Sequence, residues 1–153
     1  MTIMDDLLVM MDSTAIGTSI AAAAIKGDVV YFGGSTYNAF GDAQTPDINN
    51  QGGLYFNIIC EDEDFATSGS PVVTVTLVTA ADASLSSGAV TLMTKALDGT
   101  PNDGDILYSA QIPAGTVKAY IGTKVQIATA AMTAGKLTTF LSLHPVTEAS
   151  SRK

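Results

Sequence analysis

The stretch Pro71 to Thr79, Pro-Val-Val-Thr-Val-Thr-Leu-Val-Thr, constrains the fold more than any other. It alternates strictly: Val73, Val75 and Leu77 point one way, Thr74 and Thr76 the other. Period two is the pattern of a strand with one face on a core and one face wetter. Valine and threonine are stiff at χ1 and suit a pleated surface. Pro71 has no N–H, so it fits a strand start or an edge. A second run, Leu54 to Cys60, lies just upstream, with Leu54, Phe56, Ile58 and Cys60 on one face and Tyr55, Asn57 and Ile59 on the other. Read together, the two runs predict neighbouring antiparallel core strands of a β-sandwich.

The rest of the chain has the same texture. Residues 1–12 read as a first strand or an N-terminal arm. Ile16 to Ile25 reads as strand and loop, although Ala21 to Ala24 favours helix by propensity alone. Lys26-Gly27-Asp28 reads as a turn and Val29 to Phe32 as a short strand. Tyr37 to Gly53 is the longest irregular stretch. Ala80 to Gly88 reads as a turn or a single helical turn, followed by strands at Ala89–Ala96 and Asp105–Ile112. Val117 to Thr129 reads as one long strand or a pair, with Gly122 as a bulge. Lys136 to Leu143 is the last strand, with Leu137, Thr139, Leu141 and Leu143 on one face. Residues 145–153 form a polar, loose tail. Seven to nine short strands spaced by turns predict an all-β fold, a jelly-roll-like antiparallel β-sandwich, in one domain over residues 1–153.

Charge narrows the function. Of 153 residues only 14% are charged, against roughly 25% in a typical soluble domain. Such a surface is built from Thr, Ser, Asn, Ala and Gly, or is covered by partners. The net charge of −8 argues against nucleic acid and against anionic membranes, both of which need Lys and Arg. Cys60 is the single cysteine and sits in a predicted strand, so it reads as a small buried apolar residue and no intrachain disulfide is expected. The N-terminus carries Asp5, Asp6 and Asp12 where a signal peptide would be basic, so synthesis in the cytoplasm is expected.

Candidate chemistry is sparse. His144 is the only histidine, which excludes a three-histidine metal site, and no Gly-x-Ser-x-Gly motif is present. No enzyme activity and no cofactor are therefore expected. Glu61-Asp62-Glu63-Asp64 reads as a solvated loop whose like charges discourage edge pairing. Asp98, Asn102, Asp103 and Asp105 surround Gly99 and Gly104. Oxygen ligands beside glycines can take calcium, but the spacing is not that of an EF-hand and turn chemistry explains it. The long stretch is the candidate partner-contact segment: Tyr37, Phe40, Pro46 and Ile48 keep apolar groups in a segment with no core strand to serve. Ile59, Val78 and Tyr120 read as further outward apolar or neutral positions that favour self-association.

The order of four segments resembles a known family, the jelly-roll capsid cement (decoration) proteins of tailed bacteriophages of the Bordetella podovirus type. The segments are Gly27-Asp28-Val29-Val30-Tyr31-Phe32-Gly33-Gly34, Gly52-Gly53-Leu54-Tyr55-Phe56-Asn57-Ile58-Ile59, the stretch Val73 to Ser86, and Ile112-Pro113-Ala114-Gly115 to Tyr120-Ile121-Gly122 followed by Thr133 to Thr138. Lys118-Ala119-Tyr120 departs from the family, where an Arg-Tyr pair is expected. The resemblance implies a non-enzymatic virion protein made in the host cytoplasm. It would bind the major capsid protein on the outside of a phage head, between capsomers, as a homodimer or homotrimer. A lectin-like or receptor-binding β-sandwich on a virion or cell surface is the alternative. A jelly-roll enzyme of the cupin kind would need a metal cluster that this sequence lacks.

Overall fold

The computed structural model describes residues 8–17, 21–32, 36–37, 43–44, 53–61, 72–97, 101–113, 117–131 and 134–147. Among these residues ten strands run in chain order: β1 (Val9–Ala15), β2 (Ala21–Tyr31), β3 (Thr36–Tyr37), β4 (Ala43–Gln44), β5 (Tyr55–Cys60), β6 (Val72–Ala80), β7 (Val90–Leu97), β8 (Ile106–Gln111), β9 (Tyr120–Ala128) and β10 (Lys136–Ser142). Eight of them form two four-stranded antiparallel sheets. The first has the order β1-β10-β5-β8 and the second β2-β9-β6-β7, while β3 and β4 pair with each other.

The pairing is nested: β1 with β10, β2 with β9, β5 with β8, β6 with β7. Successive pairs fall alternately on the two sheets, as when one long hairpin is rolled up. That is the jelly-roll order. It corrects one expectation. The two alternating runs are not neighbours in a sheet: β5 lies in the first sheet and β6 in the second. Each becomes a central strand, and their apolar faces meet across the core.

The inner faces follow the predicted alternation. Phe56, Ile58 and Cys60 from β5, with Leu137 and Leu141 from β10, pack against Val73, Val75 and Leu77 from β6 and Ile121, Val125 and Ile127 from β9. Each fully buried side chain of this size stabilises the fold by about 1.5–3 kcal/mol relative to exposure. Two threonines interrupt the apolar core. Thr123 of β9 and Thr139 of β10 are buried and share a hydrogen bond across the sheets at 3.2 Å; Thr123 also donates to the Met10 sulfur at 3.5 Å. Buried hydroxyls so paired avoid the penalty of an unsatisfied donor.

Lys26-Gly27-Asp28 is not a turn; β2 runs through it. The register against β9 slips between Lys26 and Val30, so the extra residues bulge here and not at Gly122. Gly27 has φ of 72°, and a Cβ there would fall on the Met10 carbonyl, so glycine lets β1 and β2 close together. Val117 to Thr129 contains one strand, β9, whose ladder to β6 runs without a slip through Gly122. Leu143 lies beyond β10 and is 66% exposed, so it does not share the buried face. Residues 145–147 are less loose than expected: the Val146 N–H donates to the Ser109 hydroxyl at 3.0 Å.

Val78 points to the outer side of β6 as expected but is not available there, since it is 4% exposed. The β6–β7 connection, residues 81–89, folds back over the second sheet as a strap. Its Leu85 is fully buried against Val78 and Ala80, with Ile25, Val29 and Tyr120 alongside. Leu85 has φ of 48°. The left-handed conformation costs about 1–2 kcal/mol, and burying the side chain returns about 1.5–3 kcal/mol, so packing wins. Gly122 makes room for it: a Cβ there would sit 2.8 Å from Leu85 Cδ1. We expect Gly122→Ala to cost about 1–3 kcal/mol by overpacking and Leu85→Ala about 2–5 kcal/mol by cavity formation. The double variant should lose less than the sum, because the new methyl enters the vacated space. Urea denaturation of the three variants measures this, and strict additivity would refute the plug.

Candidate functional site

Among the described residues the fold presents two outer faces, one on each four-stranded sheet. On the first sheet that face is largely closed. Asn57, Thr138 and Phe140 point away from the core, yet all three are buried. Asn57 has its polar groups satisfied there. Its amide donates to the Ser142 hydroxyl at 2.7 Å, to the Phe140 carbonyl at 3.4 Å and to the Tyr55 carbonyl at 3.3 Å, and its oxygen accepts from the Ser109 hydroxyl at 2.7 Å. Ser142 in turn donates to the His144 carbonyl at 2.6 Å, and Ser109 accepts from Val146. One buried amide therefore ties β5, β8, β10 and the segment after β10 into a single network.

The outer face of the second sheet divides in two. At one end the strap covers Val78 and Ala80. The strap is held internally by Asp82, whose carboxylate accepts from the Ser86 and Ser87 N–H groups at 3.0 and 2.8 Å, from the Ser86 hydroxyl at 2.8 Å and from the Ser84 hydroxyl. It is pinned to the sheet by two cations: Lys124 donates to the Leu85 carbonyl at 2.9 Å, and Lys118 donates to the Gly88 carbonyl. Beside the strap Tyr31 and Tyr120 pack with ring centroids 4.8 Å apart, and Tyr31 is 61% exposed.

At the other end the strand register lays out rows of which Thr94, Ala96, Gln126 and Val72 are exposed and the rest half-buried: Lys124, Thr76 and Thr94 in one, Gln126, Thr74 and Ala96 in the next, then Ala128 and Val72. None of these residues is an acid, in a chain with 15. The wet side of Pro71–Thr79 foretold Thr74 and Thr76. Their neighbours on β7 and β9 became visible only with the register.

The four partner-contact candidates are not assembled into one site. Tyr37 lies in β3, opposite Ala43 of β4; Phe40, Pro46 and Ile48 lie outside the described residues. Ile59 and Tyr120 are half-buried. His144 is exposed just beyond β10, and Cys60 is buried in β5. Of the candidate calcium loop, Asp105 accepts from the Asn102 N–H at 2.8 Å and from its side-chain amide at 3.4 Å, which is turn chemistry; Asp98 lies outside the described residues. In the acidic run, Glu61 donates its N–H to the Lys136 carbonyl at 3.0 Å, and residues 62–64 lie outside the described residues.

The strap should be sensitive to acid. The Asp82 carboxyl is held far below the usual carboxylate range, first by the Ser84 hydroxyl and then by the Ser87 N–H and the Ser86 hydroxyl. A depressed folded value means that the stabilisation is complete above the ordinary carboxylate value of about 4 and is lost as pH falls through the folded value. Hydrogen exchange at the Ser86 and Ser87 amides should therefore stay slow near neutrality and accelerate in strong acid relative to β-core amides. Asp82→Ala should remove that protection at every pH. Protection that survived both changes would show that the carboxylate does not hold the strap.

In comparison with known proteins, no family model and no curated protein matches this chain.

Proposed function

We propose that the chain is a non-enzymatic structural virion protein, a capsid cement that binds the outside of a phage head between capsomers and stabilises it. The observation that carries the reading is the agreement between the sequence resemblance and the strand order. The resembling segments fall on β2, β5, β6 with its strap, β9 and the start of β10, in a nested jelly roll. The low charge content supports it, since broad neutral surfaces suit protein contacts. The net charge of −8 supports an outer position, away from packaged nucleic acid. The partners are the major capsid protein and further copies of the chain, as dimer or trimer, with assembly in the host cytoplasm.

The test is reconstitution. Heads built from the major capsid protein of a phage that encodes this chain are mixed with the purified chain and sedimented. The chain should travel with the heads, appear between capsomers by cryo-EM and raise the temperature at which the heads break. Tyr37→Ala combined with Phe40→Ala should weaken binding, each truncated aromatic anchor costing about 2 kcal/mol or more. A chain that stays in the supernatant at saturating concentration defeats the proposal.

A second reading, a lectin-like surface, is favoured by one observation, the exposed Tyr31 packed on Tyr120. Aromatic faces stack on sugars. It requires binding on a glycan array that Tyr31→Ala abolishes; no binding leaves the cement reading alone.

A further inference from the structure

The strap, residues 81–89, is folded by bonds to itself. The Ala81 N–H donates to the Ser87 carbonyl at 3.1 Å and the Leu85 N–H to the Asp82 carbonyl at 3.1 Å. The Asp82 carboxylate gathers the Ser84 and Ser86 hydroxyls and the Ser86 and Ser87 N–H groups, and the two hydroxyls lie 2.7 Å apart. Every partner in this set lies between Ala81 and Ser87. The β6–β7 ladder closes beneath the strap at the pair Thr79 and Val90, so no rung of it depends on where the strap lies. Gly88, with φ of 56°, turns the chain back toward β7.

Docking onto the sheet uses few contacts. Leu85 is the strap's buried side chain, whereas Ala81, Ala83, Ser84 and Ser86 to Ala89 are exposed. It drops into a socket floored by Gly122 and walled by Val78, Ala80, Ile25, Val29 and Tyr120. The other ties are two lysine side chains, Lys124 to the Leu85 carbonyl at 2.9 Å and Lys118 to the Gly88 carbonyl. Both lysines belong to the sheet. Lys124 is in β9, and the Lys118 backbone is fixed by its N–H donating to the buried Thr79 hydroxyl at 2.8 Å. Among the described residues no backbone hydrogen bond joins the strap to β2 or β9. Lifting the strap therefore costs the burial of one side chain and two flexible lysine bonds. It breaks no internal bond and no rung of the sheet, which is the condition for a low-cost local opening.

We propose that residues 81–89 are a preformed lid that docks on and lifts from the outer face of the second sheet as a unit, with Leu85 as its anchor and Lys118 and Lys124 as latches. Closed, the lid shows serine and alanine to solvent; open, it bares Val78, Ala80 and its own Leu85. This is a property of the isolated chain and depends on neither reading of its function. Leu85→Asn tests it, because asparagine tolerates the left-handed backbone but strands an amide in an apolar socket when docked. The acetylation rate of the Lys124 amine, read by mass spectrometry, reports docking. Hydrogen exchange at the Ser86 and Ser87 amides reports the lid's own fold. In Leu85→Asn, Lys124 should react roughly tenfold faster or more, since an unpaired buried amide shifts the docking equilibrium by about that factor. The Ser86 and Ser87 amides should stay as slow as in the wild type. Gly122→Val, which occupies the socket and leaves the lid sequence intact, should do the same. Amides of the core pair Val75 and Val125 should stay slow in both variants. Ser86 and Ser87 amides that speed up in Leu85→Asn overturn the proposal, because the strap is then ordered only by docking. An unchanged Lys124 rate in either variant overturns it, because the strap then stays down without its anchor. Core amides that speed up together with Lys124 overturn it too, because the lid then does not part from the sheet.

Discussion

Neither sheet can exist without the other, because the inner faces of the central strands have no other cover. Phe56, Ile58 and Cys60 on β5 and Leu137 and Leu141 on β10 meet Val73, Val75, Leu77, Ile121 and Val125 on β6 and β9. The central ladders are regular, so every alternate residue arrives at the same plane and the apolar set forms one layer. Slips are confined to the edges, where the sandwich must bend to close. Gly27 is the sharpest case: without a Cβ it lets β2 approach the Met10 carbonyl of β1.

The outer surfaces follow from how each sheet handles its second face. On the first sheet's outward side a buried Asn57 centres a polar network. The second uses a hydrophobic plug, Leu85, held down by a serine–aspartate turn and two lysines. The strap spends a left-handed residue, Leu85, on covering an apolar patch. What these devices leave open among the described residues is a threonine and glutamine surface on β6, β7 and β9.

Local pattern was enough for the all-β class, for the inward sets on β5 and β6, and for the buried Cys60, because side chains on a strand alternate whatever its neighbours are. It was also enough for the wet face of Thr74 and Thr76. It misled where a residue type has two uses. Lys26-Gly27-Asp28 has turn composition, but a glycine with positive φ serves a bulge as well as a turn, and only the pairing with β9 chooses between them. Val78 obeys the alternation and points outward, yet a strap from later in the chain buries it.

Which strand lies beside which was not legible at all. Consecutive runs such as β5 and β6 look like a hairpin from their spacing, but nested pairing sends them to opposite sheets. Pairing is a contact between residues far apart in the chain, and no local propensity encodes it. The same holds for the candidate site. The sequence by itself determined that the chain folds as strands, which sides of its central strands are apolar, and that its surface is acidic overall and poor in charge. Only the tertiary structure decided which neutral residues share a face, since Thr76, Thr94 and Lys124 become neighbours through the register of three strands.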